Sequence, residues 1–502
     1  MRYVSTRGGA EAVPAAAAIL AGLAPDGGLY LPEAMPRLET AEIAALAPLS
    51  YPERAARILH PFLPDYGLEE LRRYARAAYG PNRFDDPAVT PVVPLDGRTF
   101  VLELWHGPTA AFKDLALQIM PHLLRAAVAK TGSRDEIAIL VATSGDTGKA
   151  ALEGFRDVAG TRIVVFYPAE GVSRVQELQM VTQEGGNVHV VAVEGNFDDV
   201  QTGVKAIFGD PELKDSMAAR GLRFSSANSI NWGRLVPQIA YYVGAYLDMA
   251  ARGAVKWGER INIAVPTGNF GNILAAYYAR LLGLPVARLI CASNMNNVLT
   301  DFIRTGVYDR RRAFYATVSP SMDILVSSNL ERLLFLLAGR DPAQVRRWMT
   351  ELKETGRYML GPAALRSVQE EFWGGFAGEE ETKAAIRRVW QDHGYLLDPH
   401  TAVGWHVLEE YRQATGDPTP AVLAATASPF KFPAAVLGAI TGTETRAEDE
   451  LALVHSLAET TGRPVPACLR GLEARPVRHR RRCRPEGMKE EVEKILGLNG
   501  KR

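Results

Sequence analysis

EIAILVATSGDTGKAALEGF, Glu136 to Phe155, followed closely by TRIVVFYP, Thr161 to Pro168, decides the fold. EIAILVAT is a continuous apolar run of strand length, TGKAALEGF has helical spacing, and TRIVVFYP is a second apolar run. Strand, helix and strand in that order form a βαβ unit. Strands apolar on both faces argue for a parallel sheet covered on both sides. The rhythm continues with SRVQELQMVTQEG as helix, NVHVVAVEG as strand and NFDDVQTGVKAIF as helix, then with INIAVP, GNILAAYYARLLG and ARLICAS as strand, helix and strand. An α/β architecture of parallel sheets follows.

Outward from this unit, residues 1–88 read as a small N-terminal helical unit, with TAEIAALAPLSYPERAARILHPFL and GLEELRRYARAAYG at helical spacing after the turn APDGGLYLPE. Residues 89–440 form the α/β region, expected as two α/β subdomains, and residues 441–502 a C-terminal helical segment. Helical signals dominate from Ser328 to Gln413, before PAVLAATASPFKFPAAVLGAI supplies one more strand, loop and helix. The 502 residues suit about three domains by the usual size range.

Fifty-seven basic residues balance fifty-seven acidic ones, so no overall field favours nucleic acid or an anionic membrane, and small-molecule partners are expected. The basic run RHRRRCR, Arg478 to Arg484, reads as a solvated patch. Cys291, Cys468 and Cys483 lie far apart, without a C-x-x-C pair, which fits a reducing cytoplasm. MRYVSTRGGAEAV has no apolar signal core, and no run of eighteen apolar residues occurs, so neither export nor a membrane span is expected. His393, His400 and His406 fall in one region but lack H-E-x-x-H spacing, and no metal is expected. A monomer is the default expectation.

In open α/β sheets, ligands bind where loops leave the carboxyl ends of strands. VATSGDTGKAA, Val141 to Ala151, places Thr143, Ser144, Asp146 and Thr147 among glycines before a helix. It is not a P-loop, which would need Gly at Thr143 and Ser or Thr at Ala150. VPTGNFGNILAA, Val265 to Ala276, offers Gly268, Asn269, Phe270, Gly271 and Asn272 at a helix start. A single phosphate fits there better than a dinucleotide, because G-x-G-x-x-G is absent, although an ordinary tight turn reads equally well. SSANSINWGRL, Ser225 to Leu235, sets Asn228, Asn231 and Arg234 before an apolar helix. It is an N-capping loop with a surface arginine, or a grip for a phosphate or carboxylate.

ELWHGPTAAFKDLALQ, Glu103 to Gln118, runs from a strand through a Gly-Pro turn into a helix, with Lys113 among Ala110, Ala111, Phe112, Leu115, Ala116 and Leu117. A lone helix lysine is ordinarily a solvated charge, but this apolar company implies burial, and a desolvated amine is a nucleophile. His106 just before it reads as packed or capping. The lysine, the Gly/Asn phosphate loop and the hydroxyl loop between them together suit a pyridoxal phosphate site, with the lysine amine holding the cofactor as a Schiff base.

The motifs HGPTAAFKDLALQ, ATSGDTGKAA, SSANSINWGR and PTGNFGN, with GLAPDGGLYLPE near the start and DPHTAVG near the end, resemble the threonine synthase family of fold-type II, tryptophan synthase β-like pyridoxal phosphate enzymes. The resemblance runs from Met1 to about Ile440 in order, and the tail CRPEGMKEEVEKILG is similar to the family too. It implies conversion of O-phospho-L-homoserine and water to L-threonine and phosphate. It further implies that Lys113 is the cofactor lysine and proton shuttle, that Gly268, Asn269, Phe270 and Asn272 cradle the cofactor phosphate, and that Thr426 faces the ring nitrogen. By the same resemblance Thr143, Ser144, Asp146 and Thr147 surround the substrate carboxylate and cofactor ring, and Asn228, Ser229 and Arg234 hold the substrate phosphate. The chain departs from the family where Ala-His-Pro-Ala-Lys-Phe is usual: ASPFKF places Ser428 for the histidine and Phe430 for the alanine, and keeps Lys431. The alternatives are another fold-type II lyase, such as a serine/threonine dehydratase or a cysteine synthase, and a silent homologue that binds a phosphorylated ligand.

Overall fold

The computed structural model describes residues 1–170, 172–443 and 449–499, and in it the βαβ unit appears as strand Glu136–Ala142, helix Asp146–Phe155 and strand Thr161–Pro168. It belongs to an all-parallel five-stranded sheet in the order Arg481–Cys483, Val188–Val193, Thr161–Pro168, Glu136–Ala142, Leu222–Ser225. A six-stranded sheet runs Phe372–Phe376, Val286–Ser293, Ile261–Pro266, Ala421–Ala425, Thr99–Glu103, Val92–Pro94, and is parallel except for its last pair. The continuous apolar strands have the expected cause. Ile137, Ile139 and Val141 enter the main core, while the alternate residues Ala138 and Leu140 pack on Val200, Val204, Ile207, Met488 and Val492.

The N-terminal region is helical where expected, at Tyr51–Leu59 and Leu68–Ala78, but it also forms an antiparallel ribbon of Tyr3–Ser5 with Tyr30–Pro32. Asp26 pins that ribbon, because its carboxylate accepts from Ser5 Oγ at 2.7 Å and from the N–H of Gly28 at 2.9 Å. The tail departs from a purely helical segment. Between helices Glu450–Thr461 and Met488–Leu496 it contributes the edge strand Arg481–Cys483, built from the basic run itself. Arg481 pairs with Glu491 and Arg478 with Glu184, both at 2.9 Å, so the run is a solvated sheet edge. The strand FWGGF, Phe372–Phe376, carries no alternating pattern in sequence. Its Gly374 is where helix Val298–Thr305 closes in, since a Cβ there would lie 3.2 Å from Thr300 Cα and Ile303 Cβ.

Loops leaving the carboxyl ends of strands in both sheets converge on one cleft, as parallel sheets require of a ligand site. Two helices that open into it, Lys113–Leu117 and Asp146–Phe155, touch at Gly154, where a Cβ would collide with the Leu117 carbonyl oxygen. Gly154→Ala is therefore expected to separate them and to destabilise the protein by about 1 to 3 kcal/mol, the usual cost of overpacking. A fall in the urea midpoint reads this out, and a midpoint equal to wild type would show that the contact is not tight.

Candidate active site

The cleft is a cavity of about 1230 Å³ bordered by both sheets. Lys113 reaches it because two loops are stapled side by side. Phe112 N–H donates to Thr426 O at 2.8 Å, Ser428 N–H to Ala110 O at 3.0 Å, and Ala111 bridges Ala427. The Lys113 amine is buried, 3.3 Å from Ser321 Oγ and 3.7 Å from Asp146 Oδ2, with its cation 5.0 Å from the Phe112 ring centre. Burial lowers its pKa to about 8 against the pull of Asp146, with Arg234 and Lys431 adding to the fall. The neutral, nucleophilic amine is therefore more available near neutral pH than that of an exposed lysine.

Asp146 opens its helix after the hydroxyl loop. Thr143 Oγ1 ties that loop by accepting from the N–H groups of Gly145 and Gly148 at 3.0 and 2.9 Å. Gly145 sits at φ 137°, and a Cβ there would lie 2.5 Å from Gln176, whose amide donates to Asp146 Oδ1 at 2.8 Å. Burial would raise the Asp146 pKa, but the Lys431 ammonium at 2.7 Å and that of Lys113 outweigh it and hold the carboxyl well below its ordinary range. Ser144 and Thr147 border the cavity beside it.

The Gly268–Asn272 loop leaves strand Ile261–Pro266 for helix Gly271–Leu282 through Phe270, whose φ of 62° is rare for a bulky residue. Its ring packs on Phe372, so Phe270 offers the cleft its backbone. Gly271 lies behind the cavity wall, while Gly268, Asn269, Phe270 and Asn272 form part of that wall. The N–H groups of Gly268, Asn269 and Phe270 have no acceptor among the described residues. Asn272 Oδ1 accepts from the hydroxyls of Tyr241, at 2.7 Å, and Tyr242, while its buried Nδ2 has no partner among the described residues. Free backbone donors and an orphaned amide at a helix start fit the phosphate of pyridoxal phosphate.

On the other wall, Arg234 is buried, donates to Ala227 O at 2.7 Å, and has no carboxylate within ion-pair reach among the described residues. Its Nη2 lies 3.5 Å from Thr147 Oγ1, and burial lowers its pKa to about 10. Asn228 and Ser229 border the cavity, whereas Asn231 holds the loop by donating to Ile19 O and Ser226 O. Ser229 also neighbours the phosphate loop, 3.7 Å from where a Gly271 Cβ would stand. Thr426, just beyond strand Ala421–Ala425, presents a hydroxyl that makes no hydrogen bond among the described residues.

His106 is bound to Asp85 and Glu103 outside the cavity. Ser428 does not border the cavity either; its hydroxyl caps the turn Pro429–Lys431. Four residues that sequence reasoning passed over shape the cleft. Ser321 faces Lys113, and its N–H donates to Nε2 of His400, whose Nδ1 is held by Asp398 at 2.8 Å. Asn329 fastens the phosphate loop through Asn269 O, and the fully buried Arg332 ties Asn329, Tyr30 O and Ile230 O together. DPHTAVG was the signal for His400, which otherwise reads only as a candidate metal ligand; Asn329 and Arg332 lie in a stretch that reads only as helical, and Ser321 lies just before it in a segment without a motif. Among the described residues no His, Cys, Asp or Glu cluster could hold a metal.

Family models match along the chain: "Threonine synthase N terminus" over residues 2–79, "Pyridoxal-phosphate dependent enzyme" over 84–426 and "Threonine synthase, C-terminal" over 401–490. The threonine synthase of Pseudomonas aeruginosa is 43% identical over 437 residues, 87% of this chain and 90% of that protein. Human threonine synthase-like 1 is 42% identical over 435 residues, 84% of this chain, but the match spans only 57% of that longer protein. The PLP-bound threonine synthase structure from Brucella melitensis superposes with a TM-score of 0.87 at 40% identity, covering 100% of both chains. Asn272 Nδ2 is the buried, unpaired side-chain donor of the Gly268–Asn272 loop among the described residues; with the loop as the cofactor-phosphate cradle, Asn272→Asp places an anion there and is expected to weaken pyridoxal phosphate binding by at least about thirtyfold, or about 2 kcal/mol. Titration of cofactor absorbance measures it, and unchanged affinity would remove Asn272 from the cradle.

Proposed function

The chain belongs to the threonine synthase family of pyridoxal-phosphate-dependent enzymes, and from that premise we propose that it converts O-phospho-L-homoserine and water to L-threonine and phosphate. The observation that carries the substrate is Arg234, a buried guanidinium without a carboxylate partner among the described residues, in the same cavity as Lys113. A buried cation calls for an anion. A phosphate ester supplies one, and the substrates of serine dehydratases and cysteine synthases carry no phosphate. The free cysteines support a cytoplasmic location. A monomer belongs to the same reading, and light scattering tests it.

When bound, pyridoxal phosphate supplies an electron sink that makes protons on the α- and β-carbons of an amino acid removable. Lys113 would hold the cofactor through Nζ and, when released from it, would be the base beside the substrate. It takes the proton from Cα and a second from Cβ, and protons return to Cγ and Cα as water adds its hydroxyl at Cβ. Arg234, Asn228 and Ser229 grip the phosphate that departs from Cγ. Thr143, Ser144, Asp146 and Thr147 line the end assigned to the substrate carboxylate and cofactor ring. Thr426 is assigned to the ring nitrogen, where a hydroxyl gives a hydrogen bond and no full charge.

Lys113→Ala is expected to remove both the yellow colour and turnover. Borohydride-fixed pyridoxyl on a peptide without Lys113 would sink the assignment. Arg234→Ala should lower kcat/KM for O-phosphohomoserine at least about thirtyfold, since losing one partner of a buried charge pair costs about 2 to 5 kcal/mol. The resting spectrum should be unchanged. If wild-type protein turned over homoserine or serine as well as O-phosphohomoserine, the dehydratase reading would replace this one.

A further inference from the structure

Lys431 is wholly buried, does not border the cavity, and lies at the end of the turn Pro429–Lys431. Its ammonium donates to Thr109 O at 2.9 Å and meets Asp146 Oδ1 at 2.7 Å. Gln176 also takes Oδ1, so Oδ2 is left toward Lys113 at 3.7 Å. The three charges thus form a chain, Lys431, Asp146 and Lys113, in which Asp146 and Lys113 border the cavity and Lys431 stands behind Asp146 without bordering it.

We propose that Lys431 is a positioning residue for the reaction, acting through Asp146: it remains as the buried counter-ion of that carboxylate whenever the Lys113 amine gives up its charge. The proposal rests on the assignment of Lys113 as cofactor lysine and catalytic base. The physical need is direct. Lys113 must lose its positive charge to act as nucleophile or base, and a buried carboxylate whose sole cation had been Lys113 would then stand uncompensated in a dry site. That cost would keep the proton on Lys113 or drive it onto Asp146. With Lys431 fixed at 2.7 Å, Asp146 is paired in both states of Lys113.

The other charges in reach do not replace it. Arg234, on helix Trp232–Leu235, and Lys431 itself both repel the Lys113 cation, and Asp146 is the carboxylate that faces it. Around Lys431, Asp114 is engaged by the N–H and hydroxyl of Thr109, and Cys468 is held as a thiol by burial, which raises its pKa to about 11. His400 touches the Ser321 backbone on the far side of the amine.

The test is competitive acylation of Lys113 against pH in the full chain after cofactor removal, read by peptide mass spectrometry, with reloading of pyridoxal phosphate as the check on folding. Lys431→Met should move the Lys113 midpoint up by at least about one pH unit, because the amine then becomes the only cation paired with Asp146. Asp146→Asn should move it down, because the repulsion from Lys431 and Arg234 remains. In the Asp146→Asn background, Lys431→Met should shift the midpoint by much less than alone, the mark of an effect transmitted through the carboxylate. An unchanged midpoint in Lys431→Met, or an equal shift in both backgrounds, overturns the proposal. If Lys431→Met does not fold, Asp146→Asn decides it, since a midpoint that fails to fall removes the carboxylate from that chain of charges. A wild-type chain that carries its pyridoxyl label elsewhere than Lys113 would instead sink the functional reading beneath it.

Discussion

A carboxylate taken out of water has to be paired, and the Asp146 carboxylate lies at the junction between the halves of this molecule. Asp146 comes from the helix that follows a strand of the five-stranded sheet, while Lys113, opening the short helix Lys113–Leu117, and Lys431, ending the turn Pro429–Lys431, follow neighbouring strands of the six-stranded sheet. The pairing is therefore a bond between sheets as well as a feature of the site. It constrains what surrounds it: Gly145 must admit Gln176, Gly154 must let the two helices touch, and the backbone staple between Ala111 and Ala427 must bring both lysines to one side. Removing one partner of such a pair typically costs about 3 to 5 kcal/mol, a large share of any protein's stability.

The same count of charges describes what the cleft can accept. Around Asp146, the buried side chains of Lys113, Lys431 and Arg234 gather three basic groups near one carboxylate, and the Gly268–Asn272 loop adds backbone donors and an Asn272 amide that have no partner among the described residues. An excess of donors and positive charge in a buried cavity is costly until anions enter. In the proposed function, a cofactor phosphate and a phosphorylated amino acid are the anions assigned to the Gly268–Asn272 loop and to the Asn228–Arg234 segment. These two segments are mechanically linked, since Arg332, through Asn329, joins the loop at Asn269 to the carbonyl of Ile230 on the Asn228–Arg234 segment. Binding on one wall and order on the other share a buried side chain.

Part of this was legible before any coordinates. Apolar runs such as EIAILVAT and TRIVVFYP report burial on both faces, a local property of each strand, so the parallel sheets follow from the chain itself. The loops at strand ends could likewise be picked out, because glycines, hydroxyls and a helix start are contiguous in sequence, and Lys113 was marked by its apolar neighbours. Segments whose reason for being a strand lies elsewhere were not legible. FWGGF pairs because Val286–Ser293 offers an edge and Gly374 lets a helix approach, and the basic tail strand exists because Val188–Val193 needed a neighbour.

The sequence by itself determined the buried parallel strands with their intervening helices and marked the candidate loops at strand ends, because periodicity, glycine placement and the residues flanking Lys113 act over a few positions. The tertiary structure alone decided which charges meet. That Lys431 reaches Asp146 across 285 positions of chain, that Ser321 stands by the Lys113 amine, and that Ser428 caps a turn where it could have faced the cleft all depend on how two sheets are set against each other. Coulomb and hydrogen-bond energies depend on distance in space and on local dryness, and neither is written in the spacing of residues along a chain.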